Sequence, residues 1–239
     1  KIKSSSITRR LLGIGEKTGK ISLSGTGEVY FKPSFKYFSL IELYDEEIIK
    51  DKNELYHSYN IRTYTGGTLF ELANKQNKID EYFNEIDRLG FNAVEISDGS
   101  TTIDSDRRAQ LINKSKELGF YTLSEIGKKN PQKDSEYTTQ QRIDLINTDI
   151  EAGSDMVIIE GRESGKNIGI YDDKGNVKKD DLTSIYENTP KEKVLWEAPQ
   201  KNQQVELILT LSNDVNLGNI NSNEIVSLET LRRGLRGDT

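Results

Sequence analysis

Four acidic residues stand at the ends of short β-branched or aromatic runs. Asp98 follows Val94-Glu95-Ile96-Ser97, Glu125 closes Leu123-Ser124, Glu160 closes Val157-Ile158-Ile159, and Glu197 closes Leu195-Trp196. In parallel strands whose C-terminal ends converge, such acids share one mouth. Crowded carboxylates repel unless a cation or a basic side chain compensates. The chain has no cysteine and one histidine, His57. That excludes disulfides, thiolate metal sites and cysteine nucleophiles, and it argues against zinc held by histidines or a Ser-His-Asp triad. What remains is carboxylate, amine and hydroxyl chemistry, with Mg²⁺ or a similar hard ion on oxygen ligands. One such acid alone reads as a loop cap or the partner of a local lysine. Four at successive strand ends read as a site.

Basic groups accompany the acids. Lys128 and Lys129 follow Glu125-Ile126-Gly127, Arg162 follows Glu160-Gly161 and leads into Glu163-Ser164-Gly165, and Lys201 follows Glu197-Ala198-Pro199-Gln200. Arg232, Arg233 and Arg236 cluster near the C-terminus. A mouth of acids, a metal and cations suits an anionic substrate such as a phosphate ester that also carries a carboxylate. In an α/β barrel the loops after the last two strands commonly take phosphate, which draws in Asn216, Gly218 and Asn219. The Arg232–Arg236 cluster reads equally well as an exposed helix end meeting its own dipole.

The elements that must position these groups follow a regular rhythm from residue 61. Strand-like runs centre on Ile61–Tyr64, Ala93–Ile96, Phe120–Leu123, Met156–Ile159, Lys193–Trp196 and Val215–Leu217. Most lie roughly thirty residues apart, the size of one βα unit. Between them run helical stripes: Ile79, Tyr82, Phe83, Ile86 and Leu89 before Gly90; Leu111 and Leu118 before Gly119; Ile143, Ile146 and Ile150 before Gly153. A helix stopped by glycine just before a strand is the pattern of repeated parallel βα units. Upstream, Phe35–Leu40 followed by a helix over Asp45–Tyr59 makes a further unit. The expected fold is a (β/α)8 TIM barrel, a single domain over residues 1–239, with an open doubly wound sheet as the alternative. Gly13-Ile14-Gly15 and Gly25-Thr26-Gly27 lack the strand-then-helix context of a phosphate loop and read as turns.

Size and charge narrow the classes further. At 239 residues, with 33% hydrophobic and 30% charged side chains, the chain is too large for a stapled mini-domain and too apolar to be disordered. No run approaches eighteen apolar residues, so no membrane helix is expected and a cytoplasmic location is. Residues 1–34 carry seven basic side chains against two acidic, a net of +5 that leaves −11 on the rest of the chain. An acidic body without a basic face argues against nucleic-acid binding. A homo-oligomer fits this composition as well as a monomer does.

Several stretches resemble the phosphosulfolactate synthase family. They are Thr65-Gly66-Gly67-Thr68-Leu69-Phe70-Glu71, Val94–Ser100, Ser124-Glu125-Ile126-Gly127-Lys128-Lys129, Ile158–Gly165, Trp196-Glu197-Ala198-Pro199-Gln200-Lys201, Val215-Asn216-Leu217 and Ser227–Thr239. The likeness runs from about residue 61 to the end. It implies a (β/α)8 barrel that uses Mg²⁺ to add sulfite to phosphoenolpyruvate, giving (2R)-2-phospho-3-sulfolactate, an early step of coenzyme M synthesis in methanogenic archaea. It implies Lys129 as the general acid, with Glu125 beside it in the catalytic machinery and Glu160, Glu197 and Asp98 on the metal. Arg162, Ser164, Gly165 and Asn216 are then expected on the phosphate, and Lys128 or Arg236 on sulfite. Two other readings stay open: a Mg²⁺-dependent lyase for another enol phosphate, and a non-catalytic or stress-related homologue. The early part departs from the family, which carries Lys-Phe-Gly-x-Gly-Thr-Ser where Lys36 is followed by Tyr37-Phe38-Ser39-Leu40. Residues 1–34 match nothing in it. They read as an atypical N-terminal segment, either a targeting peptide or a foreign or frame-altered replacement of the first strand, and the shift in charge favours the second.

Overall fold

The computed structural model describes residues 19–23, 29–33 and 45–237. In chain order the elements are β1 (Gly19–Leu23), β2 (Val29–Pro33), α1 (Glu46–His57), β3 (Arg62–Thr63), α2 (Gly67–Lys75), α3 (Ile79–Arg88), β4 (Ala93–Ser97) and α4 (Ser105–Glu117). Then follow β5 (Tyr121–Ile126), the short α5 (Pro131–Asp134), α6 (Thr139–Glu151), β6 (Met156–Ile159), α7 (Lys179–Glu187), β7 (Val194–Glu197), α8 (Lys201–Thr210), β8 (Asn216–Asn221) and α9 (Ile225–Arg232). Every strand expected from residue 61 onward is present. The Phe35–Leu40 run and both short glycine motifs lie outside the described residues, while the helix expected after that run is α1.

Local chemistry starts and stops these helices. Asp45 caps α1 by accepting from Glu47 N–H, Asp104 caps α4 by accepting from Arg107 N–H, and Thr138 with Gln141 closes a capping box on α6. Gly90, Gly119 and Gly153 all adopt the left-handed backbone their positions called for. The stripe on α3 buries Ile79, Tyr82, Phe83 and Ile86. Leu118 departs from expectation: it sits past the end of α4 and is 50% exposed, while Ile112 takes the buried place beside Leu111.

The sheet order is β3-β2-β1-β8-β7-β6-β5-β4. Strands β4 to β8 form an all-parallel, five-strand α/β sheet. Within the atypical start of the chain the described residues form two strands: β1 pairs antiparallel with both β2 and β8, and β2 pairs parallel with β3. No ladder joins β3 to β4 among the described residues. There Thr63 N–H donates to the Asn92 side chain at 3.0 Å, a side-chain contact between the two end strands of the sheet.

Alternation along the strands places the chemistry. Val157, Ile159 and Trp196 pack under the helices with Ile146, Leu182 and Leu207. On the opposite face Met156, Ile158, Ala93, Leu123, Leu195 and Tyr64 form a separate apolar plug. Two residues further along the same face come Glu95, Glu125, Glu160 and Glu197, directly above the plug. Trp196 is 1% exposed, and Trp196→Ala is expected to cost about 3–5 kcal/mol. A lower urea midpoint with unchanged slope checks this.

Candidate functional site

Glu125, Glu160 and Glu197 meet at the mouth, each offering a carboxylate oxygen within 4.8 Å of the others, and all three are buried. Backbone groups aim them. Arg162 N–H donates to Glu160 Oε1 at 2.8 Å, and Gly161 N–H donates to Glu197 Oε2 at 2.9 Å. Asn219, at φ +60° near the end of β8, donates from Nδ2 to Glu197 Oε2 at 3.2 Å and to Arg162 O at 2.8 Å. Its amide oxygen is buried without a hydrogen-bond partner among the described residues. Three buried carboxylates form a hard, all-oxygen donor set, which could hold a hard divalent ion rather than a thiophilic metal.

Gly127 makes this convergence sterically feasible. Its φ is +117°, and a Cβ there would lie 2.8 Å from Glu160 Cβ and 3.2 Å from Asp134 Oδ1. Gly127→Ala is expected to displace Glu160 and to lower divalent-ion affinity at least about tenfold, a change that isothermal titration would read.

Lys129 stands beside the acid cluster. Its backbone N–H donates to Gly99 O at 2.9 Å, and its ammonium lies 3.2 Å from Thr68 Oγ1 and 3.8 Å from Glu71 Oε1. Burial works against the charged amine. The fields of Glu125, Glu71, Glu160 and Glu95 outweigh it and hold the lysine above its ordinary pKa. Beyond it opens a cavity of about 460 Å³, lined by Lys129, Lys133 and Arg162 and by the Gly99-Ser100-Thr101 turn. Its three cations give it a positive lining next to the buried acids.

Not every expected residue joins this centre. Asp98 is drawn away from the other acids by Lys128, whose ammonium donates to Asp98 Oδ2 at 2.5 Å and also to the carbonyls of Asp98 and Thr101. Arg108 adds a 3.5 Å contact on Asp98. The two cations meet the charge of Asp98 locally, and Lys128 is buried in that structural pair rather than turned toward a ligand. Asn216 lies at the start of β8, the opposite end from the mouth, where its amide donates to the Val194 and Glu192 carbonyls. Arg236 is exposed and donates to Ser227 Oγ. Arg232 reaches the Asn213 and Val215 carbonyls, again at the far end. Arg162 does line the cavity, at φ +56°. Ser164 and Gly165 belong to a loop pinned through their carbonyls by the Gln200 and Gln203 amides at 2.5 and 2.7 Å.

The foundation under the site is ionic and was not visible in the strand-end reading. Arg108 donates to both oxygens of Asp149 and to Glu125 O at 2.9 Å. Asp134 accepts from Lys128 N–H, Gly169 N–H and Arg142, tying the loops after β5 and β6 together. These residues lie on helices, where charged side chains ordinarily face water. Only their burial marks them.

An α/β fold whose mouth carries a buried carboxylate cluster able to take a metal, beside a cavity lined by cations, is the class that fold and mouth define. The model of the (2R)-phospho-3-sulfolactate synthase (ComA) family matches residues 35–238, upstream of where the quoted motifs begin, and the chain belongs to this family of lyase-type enzymes. Phosphosulfolactate synthase of Methanocaldococcus jannaschii is 52% identical over 195 residues, covering 82% of this chain and 78% of that protein. That of Methanothermobacter thermautotrophicus is 46% identical over 199 residues (83% and 77%), and that of Bacillus subtilis 34% over 194 (80% and 75%). No helix among the described residues is long and apolar enough to cross a membrane.

Proposed function

We propose that this chain adds sulfite to phosphoenolpyruvate to give (2R)-2-phospho-3-sulfolactate, the step that feeds coenzyme M synthesis, with Mg²⁺ as the metal. The observation that carries the reading is the placement of Lys129 between a three-carboxylate cluster and a cationic cavity. Glu125, Glu160 and Glu197 would hold the ion, with the Asn219 amide oxygen beside them. When bound, the ion stabilises negative charge developing on a substrate carboxylate. Sulfite sulfur forms a bond to C3 of the enol phosphate, the C2–C3 π pair moves toward C2 and its carboxylate, and C2 then takes a proton. The Lys129 ammonium donates that proton from one face, which sets the R configuration. Arg162 and Lys133 offer charge to the phosphate and to sulfite. The Ser164–Gly165 loop borders this region.

The test is consumption of phosphoenolpyruvate by the purified chain with each component omitted in turn. Loss that needs both sulfite and Mg²⁺, with chiral analysis giving the R product, supports the reading. Loss that proceeds without sulfite would turn it toward a lyase for another enol phosphate. Absence of phosphoenolpyruvate and Mg²⁺ binding by calorimetry would turn it toward a non-catalytic homologue.

A further inference from the structure

We infer that Glu71 is a positioning residue for Lys129: from helix α2 it holds the ammonium on the side of the mouth away from the three metal-binding carboxylates. The inference rests on the reading of Lys129 as the proton donor and adds the residue that sets where the donor stands. Glu71 is 3% exposed. Both of its oxygens are fixed from β4 and the turn after it, Oε1 accepting from Ser97 Oγ at 2.9 Å and Oε2 from Ser100 N–H at 2.8 Å. Its carboxylate therefore has a set location that does not depend on the lysine.

Thr68 lies three residues earlier on the same face of α2 and places its hydroxyl 3.2 Å from the Lys129 ammonium, while Glu71 Oε1 lies 3.8 Å away. The rest of the lysine is held at Gly99. The Lys129 backbone bonds to Gly99 O, and a Cβ on Gly99 would lie 3.2 Å from both Cγ and Cε of Lys129. Backbone, stem and tip are thus each held by the α2–β4 side of the site.

The opposing pull explains why such a hold is needed. Glu125 and Glu160 also attract the ammonium. With Glu71 neutralised, the remaining attraction leads the amine toward the carboxylates that would otherwise bind the ion. A lysine drawn there is displaced from the face of C2 and competes with the metal. Misplacement of a reacting group by about 1 Å costs on the order of 100-fold in rate.

The experiment compares wild type with Glu71→Gln and Thr68→Val. Glu71→Gln keeps the shape and removes the charge. Thr68→Val removes the hydroxyl contact at an exposed position and leaves the buried Glu71 bonds untouched, which keeps the test available if the first variant does not fold. Glu71→Gln is expected to lower kcat about 100-fold with KM for phosphoenolpyruvate within about threefold of wild type, and to erode the R purity of the product. With Mg²⁺ saturating the carboxylate cluster, so that its pull on the amine is cancelled, acetylation of Lys129 by acetic anhydride, followed by peptide mass and ratioed to Lys133 in the same sample, is expected to speed up about tenfold in Glu71→Gln. Thr68→Val should move the same readouts in the same direction by less. Wild-type kcat, product purity and labelling ratio in both folded variants would overturn the inference. Turnover that survives Lys129→Ala overturns the assignment of Lys129 as the acid instead, and the labelling ratio still reports whether Glu71 holds the amine.

Discussion

Lys129→Ala is expected to lower kcat by about 10²–10⁴-fold, the usual worth of a placed general acid, while leaving the fold intact. The side chain is 33% exposed and reaches Thr68 and Glu71 at its tip, so truncation opens no large cavity in the core. Removing a cation from among Glu125, Glu71, Glu160 and Glu95 leaves those acids more repulsive toward one another and so more attractive to a divalent ion. Metal affinity should therefore hold or rise as turnover collapses. Calorimetric titration beside the sulfite-dependent assay separates the two, and turnover near the wild-type rate would remove Lys129 from the mechanism. The sign of the pH response follows from the same charges. In the metal-free protein the amine stays protonated above the ordinary lysine value of 10.5, so the acid form is complete below that pH and is lost as pH rises through the elevated value. A divalent ion at Glu125 and Glu160 cancels part of their field. The midpoint of Lys129 labelling is therefore expected to move down on adding Mg²⁺.

Glu160→Gln should produce the second large effect, a loss of at least about 100-fold in divalent-ion affinity with turnover falling in step. The amide can still accept from Arg162 N–H, as Glu160 Oε1 does at 2.8 Å, so the local backbone is kept. The charge is not. Three buried carboxylates within 4.8 Å of one another repel in the metal-free protein, and replacing one relieves that repulsion. The variant is therefore expected to melt higher than wild type in chelator, and to gain less when Mg²⁺ is added, since stabilisation by a ligand scales with its affinity for the folded state. Equal melting shifts in the two proteins would move the metal away from this cluster.

The two variants also show which parts of the site a one-dimensional reading reaches. Glu125, Glu160 and Glu197 were legible because period-two alternation and the C-terminal ends of parallel strands compel side chains of that type onto one face and one rim. Lys129 was legible through its motif. Asp98 obeyed the same strand-end rule, yet the structure pairs it with Lys128 and Arg108. Helix α4, which carries Arg108, packs close to the end of β4, and a buried guanidinium there fixes the nearest carboxylate. Asn216 and Asn219 illustrate the same limit within one strand: three residues apart, Asn216 opens β8 at the end away from the mouth while Asn219 reaches the mouth. The register of Leu195 with Asn216 and of Glu197 with Gly218 assigns the mouth to Asn219.

By itself, the sequence determined the chemistry available to this protein: no thiol, one histidine, and carboxylates and amines spaced at the interval of βα units. Composition and strand period are local properties, readable without knowing any neighbour. The tertiary structure alone decided which of those groups act together. It paired Lys128 with Asp98 and so withdrew both, brought Glu71 across from α2 to Lys129, and set β1 and β2 side by side between β8 and β3. Each of these depends on distances between residues far apart in the chain. Charges compete for partners in space, and the nearest partner is set by packing.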